Sequence, residues 1–220
     1  YAGWDELEAI WSGRRDDVVA DYIDTICTIS EVLGWDYIRV PVAPKKMDYT
    51  GYKRIGDMKY CDAQGNEFLF NPVVGNIVTP ASYNEDMSVD ELPDPDAEYD
   101  IDDSELDIAR GVIARKGQSH FIIGRLPVGG PFPYMETVGM TEYLIRMITD
   151  EPFLEKASQY YTKQALKYCE AFMKAGCHGI MEAEDYADSR GLIMGKARYD
   201  QFIAPYLKKL TDGVHQLGEI

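Results

Sequence analysis

The sequence has few cationic residues and no segment that could cross a membrane as a helix. Its 220 residues contain 22 Lys and Arg against 38 Asp and Glu, which gives a formal net charge of −16. This balance excludes a nucleic-acid partner, because phosphate backbones are bound by clusters of Lys and Arg. No apolar run approaches the ~20 residues that span a bilayer. We therefore expect a soluble, cytoplasmic protein with no membrane partner.

Metal, redox and nucleotide motifs are absent as well. The four cysteines, Cys27, Cys61, Cys169 and Cys177, include no CxxC pair, so we interpret them as structural free thiols. None of the three histidines lies at the spacing of a metal motif. No glycine-rich phosphate loop follows a predicted strand, which disfavours a nucleotide-binding open sheet.

The hydrophobic pattern predicts strands that alternate with helices. Buried strands are expected at residues 37–42, 120–125 and 179–183, and helices at residues 16–33, 105–116, 141–149, 151–175 and 199–217. Pro205 is expected to kink the last helix. This order is typical of an α/β fold with a parallel sheet. Either an open doubly wound sheet or part of a (β/α)8 barrel fits it.

Residues 58–103 interrupt this alternation. Apolar runs lie on both sides of a turn sequence at residues 62–66, and the second run extends to Val74, which predicts a β-hairpin. An acidic segment, residues 85–107, follows with twelve acids and neither Lys nor Arg. Because its prolines break helices and its charges require water, we predict a solvated surface linker.

Reactive groups of parallel α/β folds gather on the loops after the carboxyl ends of the strands. Three such loops are predicted. The first contains Lys45 and Lys46, and the second contains Arg125, Pro131 and Tyr134. The third contains Glu182, Glu184, Asp185, Tyr186, Ser189 and Arg190. The lysine pair is more typical of a solvated loop than of an anion site. The third loop is the richest in chemistry.

Three carboxylates lie within four residues of the third loop. Glu182, Glu184 and Asp185 could bind a hard metal ion, act as acid and base, or hold a substrate amine, and crowded acids raise one another's pKa. Alternatively, one of them caps a helix or pairs with Arg190 or Arg198. Because side chains alternate along a strand, Glu182 and Glu184 are expected to point the same way and Asp185 the other way.

Several motifs are shared with a known superfamily. They are Asp62-Ala63-Gln64-Gly65, residues 91–96, Gly130-Pro131-Phe132, residues 175–180, Glu184-Asp185 and residues 191–210. Together they resemble the uroporphyrinogen decarboxylase superfamily, which includes cobalamin-dependent methyltransferases. The resemblance implies a (β/α)8 TIM barrel of which this chain, residues 1–220, holds part, with residues 58–103 as a hairpin and acidic-loop insertion.

Two activities compete within that superfamily. Its decarboxylases carry an Arg-rich strand near the N-terminus and an aspartate at the end of the strand that residues 37–42 resemble, whereas this chain has Val40-Pro41-Val42 there. The resemblance therefore favours a methyltransferase that moves a methyl group between a small substrate and the corrinoid of a partner protein. The alternatives are a tetrapyrrole decarboxylase and a non-enzymatic binding protein whose acidic segment recruits a basic partner.

The resemblance also implies roles for the strand-end loops. Catalytic roles are expected for Glu182, Glu184 and Asp185, and contacts with substrate or corrinoid for Arg125, Pro131, Tyr134, Tyr186 and Arg190. Zinc is the implied metal, with its main His and Cys ligands expected beyond Ile220. From their place at a strand end alone, we hypothesise that Glu182 or Glu184 supplies an additional oxygen ligand or orients a ligand. The methyl donor, the acceptor and the oligomeric state stay open.

Overall fold

Strands and helices alternate along the chain, as the hydrophobic pattern predicts. The computed structural model describes residues 3–71 and 77–218. The chain divides into two units, the first comprising Tyr1–Tyr83 and Asp102–Ile122 and the second Asn84–Ile101 and Ile123–Ile220. Each unit buries an apolar core of its own.

The first unit contains three helices and a buried strand. They are α1 (Trp4–Trp11), α2 (Arg15–Leu33), β1 (Tyr37–Val40) and α3 (Asp107–Lys116). Helix α2 ends at Gly34, whose φ of 63° is a left-handed conformation that glycine adopts without strain. In β1 the side chains of Ile38 and Val40 are fully buried and alternate with exposed neighbours. Helices α2 and α3 cover the buried side of this strand.

A four-stranded antiparallel sheet follows β1. Its strands are β2 (Lys53–Gly56), β3 (Lys59–Cys61), β4 (Glu67–Asn71) and β5 (Ile77–Pro80), and they lie in that order. The predicted hairpin is thus confirmed and extended by β2. The sequence pattern missed β2 because all four of its residues are exposed, so that no apolar alternation marks it. Val74, where the predicted apolar run ends, lies outside the described residues.

The second unit contains the parallel strand pair. Strand β6 (Phe121–Arg125) pairs in parallel with β7 (Gly179–Met181), with Ile123 opposite Gly179. Among the described residues the sheet to which they belong does not close, so the structure is consistent with part of a (β/α)8 barrel and does not show the barrel itself.

The helices of the second unit follow their predicted limits closely. They are α4 (Met140–Thr149), α5 (Glu151–Ala175), α6 (Lys196–Arg198), a π-helical turn (Tyr199–Ile203) and α7 (Ala204–Gly218). Asp150 caps α5 by accepting the N–H of Phe153 at 3.3 Å, and Gly176 ends it with a φ of 101°. The π turn lies directly before Pro205. A wider turn suits this place, because proline lacks the N–H that an α-helix would use there.

The acidic segment is packed, which corrects the prediction of a solvated linker. Leu92 is 4% exposed and belongs to the core of the second unit. Arg146 and Lys156 donate hydrogen bonds of 2.6 to 2.9 Å to backbone oxygens of the segment. Most of its acids are exposed as predicted, but Glu105 is buried. Arg146 and Lys156 thus hold the backbone of the segment, while most of its carboxylates remain exposed.

The cysteines are free and buried, as predicted. Burial raises the pKa of the Cys169 thiol and of the Cys177 thiol to about 12, so both stay protonated and unreactive at neutral pH. In the described part of the chain, no helix is both long enough and apolar enough to cross a membrane.

Candidate functional site

Two loops leave the sheet side by side at the carboxyl ends of β6 and β7. The N–H of Leu126, directly after β6, donates to the backbone oxygen of Met181 at the end of β7, at 3.0 Å. The loop after β7 also contains a short antiparallel pair, β8 (Ala187–Asp188) and β9 (Gly191–Leu192). Both loops belong to the second unit. Side chains that are more than forty residues apart in sequence can therefore meet at this edge.

Carboxyl groups from both loops come together beside Gly129. A Cβ atom added to Gly129 would lie 3.2 Å from Oε1 of Glu184 and 3.3 Å from Oε2 of Glu136. The N–H of Gly129 donates to Oε1 of Glu136 at 2.8 Å. Glu182 and Glu184 are half-buried whereas Asp185 is exposed. The predicted strand over residues 179–183 is shorter than expected, because β7 ends at Met181 and all three acids lie in the loop after it. The absence of a side chain at residue 129 leaves room for the two carboxyl groups.

Glu184 keeps its proton at neutral pH. Burial, together with repulsion from Glu182, Glu136 and Asp185, raises the pKa of Glu184 to about 8, and Arg125 opposes this shift only in part. Burial also raises the pKa of Glu136. The pKa of Glu182 is raised by burial as well, against the opposing effect of a hydrogen bond from Tyr186. A carboxyl group poised near neutral pH can both give and take a proton.

Aromatic rings form the wall beside these carboxyl groups. The hydroxyl of Tyr186 donates to Oε1 of Glu182 at 2.6 Å. The ring centroid of Tyr186 lies 6.0 Å from that of Phe132 and 5.8 Å from that of Tyr199, and Tyr134 packs on Phe132 at 4.9 Å. Tyr134 and Tyr186 are thus part of one aromatic cluster. Such a wall lowers the local dielectric and strengthens the interactions between charges.

The structure places the other predicted binding residues differently. Arg125 is exposed at the end of β6, where its charge acts on Glu184. Pro131 is buried, and its backbone oxygen accepts the hydroxyl of Ser158 at 3.4 Å. Its observed role is therefore to pack the loop on α5. Contacts of Arg125 and Pro131 with a ligand stay predictions.

Arg190 and Arg198 bind groups other than Glu182, Glu184 and Asp185. Arg190 is exposed and pairs with Asp188 at 2.8 Å, and Arg198 donates to the backbone oxygen of Met147 at 3.1 Å. The alternative that these acids are structural salt-bridge partners of Arg190 or Arg198 is therefore wrong. Binding of a substrate by Arg190 stays a prediction, in which Arg190 would first have to leave Asp188.

Sequence reasoning missed Glu136. Its proximity to Glu184 depends on the pairing of β6 with β7, which no local pattern reveals, whereas its contact with Gly129 lies within the loop after β6. One signal was present, because Glu136 is the only acid between residues 126 and 139. A lone acid in an apolar loop after a predicted strand is a reasonable candidate for a site.

The lysines of the first loop belong to an ion-pair network in the first unit. The guanidinium of buried Arg15 pairs with Asp107 at 2.6 Å. Lys46 lies 3.5 Å from the same carboxylate, and Lys45 lies 3.7 Å from Glu105. Because both lysines are matched by carboxylates and their side chains are about half exposed, the structure favours the predicted solvated loop over an anion site.

A metal centre is not found in the described part of the chain. Within residues 3–71 and 77–218, no group of three or more His, Cys, Asp or Glu residues is arranged to hold a metal ion. Glu182 and Glu184 therefore do not form a zinc site with other described residues. A single oxygen ligand from one of them stays a prediction.

Acid–base side chains on loops after parallel strands define a class of α/β proteins whose sites lie at the strand ends. The family model for uroporphyrinogen decarboxylase (URO-D) matches residues 62–220, which include both site loops. The chain therefore belongs to the uroporphyrinogen decarboxylase family, whose members are enzymes. The family indicates a decarboxylase or a related methyltransferase. No curated protein matches the chain.

Proposed function

We propose that this chain is part of a methyltransferase that moves a methyl group between a small substrate and the corrinoid of a partner protein. The observation that supports this is the charge of the site. Glu184 is surrounded by the carboxyl groups of Glu182, Glu136 and Asp185, with Arg125 as the opposing cation. A carboxylated tetrapyrrole, which the decarboxylase alternative requires, would bring further negative charge against these groups.

Proton transfer is the part of this reaction that the chain's own residues can perform. The atom that loses its methyl group keeps the electron pair of the broken bond and needs a proton in order to leave as a neutral product. Glu184 carries a proton at pH 7, because its pKa is about 8. General acid catalysis of this kind contributes roughly 10²- to 10⁴-fold to a rate. In the opposite direction the carboxylate of Glu184 takes the proton from the methyl acceptor.

Positioning of the carboxyl groups is the second contribution. Tyr186 holds Glu182 through a hydrogen bond of 2.6 Å, and Gly129 holds Glu136 through one of 2.8 Å. Burial, together with repulsion from these fixed carboxyl neighbours, keeps the pKa of Glu184 near the working pH. The proposal includes zinc, for which the described residues hold no group of three or more ligands, and Glu184 acts here as an acid–base group.

The test uses the protein with zinc, cob(I)alamin and a panel of small methyl donors. We expect at least one donor to remove the absorption of cob(I)alamin as the methylated form appears. Glu184→Gln should slow this conversion about 100-fold. The matched control is Glu155→Gln, which changes an exposed glutamate of α5 in the same unit and should leave the rate unchanged.

Two results would overturn the proposal. One is the absence of any spectral change with every donor, with zinc present and the protein folded. The other is release of carbon dioxide from a carboxylated porphyrinogen, which would establish the decarboxylase alternative.

A further inference from the structure

Two side chains of α5 bind the loop that carries Glu136. The hydroxyl of Tyr161 donates to the backbone oxygen of Glu136 at 3.1 Å. The hydroxyl of Ser158 donates to the backbone oxygen of Pro131 at 3.4 Å. Both acceptors belong to the loop after β6, so α5 attaches this loop at two points. The shorter of the two hydrogen bonds is the one at Glu136.

Glu136 is fixed both at its backbone and at its side chain. Its Oε1 accepts the N–H of Gly129 at 2.8 Å, while its backbone oxygen accepts the hydroxyl of Tyr161. A further bond, from the hydroxyl of Thr137 to the backbone oxygen of Pro133 at 2.6 Å, closes a turn inside the loop. That bond does not connect the loop to a helix. Tyr161 therefore ties the backbone of Glu136 directly to α5.

The hydroxyl of Tyr161 is well suited to this bond. The ring is partly buried and packs on the core of the second unit, to which Phe132 of the same loop also belongs. Burial, together with repulsion from Glu136 and Tyr160, raises the pKa of Tyr161 to about 12. The hydroxyl therefore keeps its proton at neutral pH and remains a hydrogen-bond donor.

The position of Glu136 matters for the site. Oε2 of Glu136 lies 3.3 Å, and Oε1 of Glu184 3.2 Å, from the place that a Cβ of residue 129 would occupy. The charge of Glu136 acts on Glu184, and an interaction between charges weakens with distance. Displacement of a reacting group by about 1 Å can slow a reaction roughly 10²-fold. A residue that fixes the backbone of Glu136 can therefore influence the reaction without contact with the substrate.

We infer that Tyr161 is a positioning residue of the candidate site, which keeps the carboxyl group of Glu136 beside Glu184 through its hydrogen bond to the backbone of Glu136. Its effect on the reaction rests on the proposed function, in which Glu184 transfers a proton. Its effect on the geometry of the loop does not depend on that function.

The amide proton signal of Gly129, measured by NMR without any cobalamin, tests the inference. Tyr161→Phe removes only the hydroxyl. If Glu136 moves, the hydrogen bond from the Gly129 N–H to Oε1 lengthens, and we expect this signal to shift upfield. A general loss of stability does not move the signal, because the folded molecules that give it keep their geometry. An unchanged signal in folded Tyr161→Phe would overturn the inference.

Tyr160→Phe is the matched control. Tyr160 precedes Tyr161 on α5, but it lines a small cavity beside residues 97–99. This variant should leave the Gly129 signal unchanged. If Tyr161→Phe does not fold, the hydroxyl protons of the wild-type protein decide: that of Tyr161 should exchange with water at least about fivefold more slowly than that of Tyr160, and equal rates would contradict the inference.

Turnover separates this inference from the proposed function. With zinc, cob(I)alamin and an active methyl donor, Tyr161→Phe should lower kcat about tenfold and leave KM unchanged, because a reacting group is displaced while substrate binding is not. An unchanged kcat in a variant whose Gly129 signal has moved would refute the effect on the reaction. A moved signal in a protein that transfers no methyl group would support the positioning of the loop and refute the methyltransferase.

Discussion

Replacing Glu184 with Gln should change how the stability of the protein depends on pH. In the folded protein the pKa of Glu184 is about 8, against 4.5 for an ordinary glutamate. Below pH 4.5 both the folded and the unfolded state carry the proton, and the contribution of this proton to the free energy of unfolding is fully present. Between pH 4.5 and pH 8 only the folded state keeps it, so the free energy of unfolding falls as the pH rises. Well above pH 8 Glu184 is ionised in both states, so its titration lowers the free energy of unfolding no further.

The size of this effect follows from the pKa difference. A single proton changes the free energy of unfolding by at most about 1.4 kcal/mol per pH unit. Between pH 6 and pH 8 the change is about 2.3 kcal/mol, because the folded protein has already lost half of the proton at pH 8. Glu184 is only half-buried, and solvent screening reduces the effect to about 2 kcal/mol. Gln does not titrate, so Glu184→Gln should gain about 2 kcal/mol relative to wild type between these two pH values.

Urea unfolding of both proteins at pH 6 and pH 8, followed by circular dichroism, measures this difference. Glu155→Gln serves as the control and should follow the wild-type protein at both pH values, since Glu155 is exposed. A change of less than about 0.5 kcal/mol in the relative stability of Glu184→Gln would show that Glu184 is not held protonated by folding. A change of the opposite sign would show that a cation pairs with its carboxylate.

Two further predictions concern packing and buried charge. Gly124→Ala places a Cβ 2.5 Å from a ring carbon of α5 and should lower the free energy of unfolding by about 3 kcal/mol. The control is Gly56→Ala, whose added Cβ lies 3.6 Å from its nearest neighbour. This variant should have nearly the wild-type stability in the same urea titration. Arg15→Met removes the buried partner of Asp107 and should cost about 3 kcal/mol. Arg115→Met removes an exposed cation and should lower the free energy of unfolding by less than about 1 kcal/mol. If Arg15→Met and Arg115→Met lowered it equally, burial of Arg15 would not account for its contribution to stability.

Local patterns were sufficient wherever burial repeats regularly. Helix α2 ends at Gly34, and α5 lies between the cap Asp150 and Gly176, as the apolar stripe and the terminal residues predict. Strand β2 was missed because its exposed residues carry no such repeat. The acidic segment was taken for a linker because its composition is that of solvated chain. Its backbone contacts with Arg146 and Lys156 involve residues far away in the sequence.

The candidate site shows the same division. Glu182 and Glu184 could be found because side chains just after a buried strand lie at the end of the sheet where sites form. Glu136 could not be found with the same ease, because its proximity to Glu184 comes from the pairing of β6 with β7. The alternative partners Arg190 and Arg198 follow the three acids within the same part of the sequence, yet they bind other groups.

The sequence by itself determined the α/β order, the main helix limits and the carboxylates that follow the third predicted strand. Each of these features follows from residues that are close together in the sequence, within a few residues of one another. Only the tertiary structure decided that Glu136 joins Glu184, that Glu184 holds a proton at neutral pH and that the acidic segment is packed. These properties depend on burial and on distances between separate elements, which arise only when the strands pair and the loops meet.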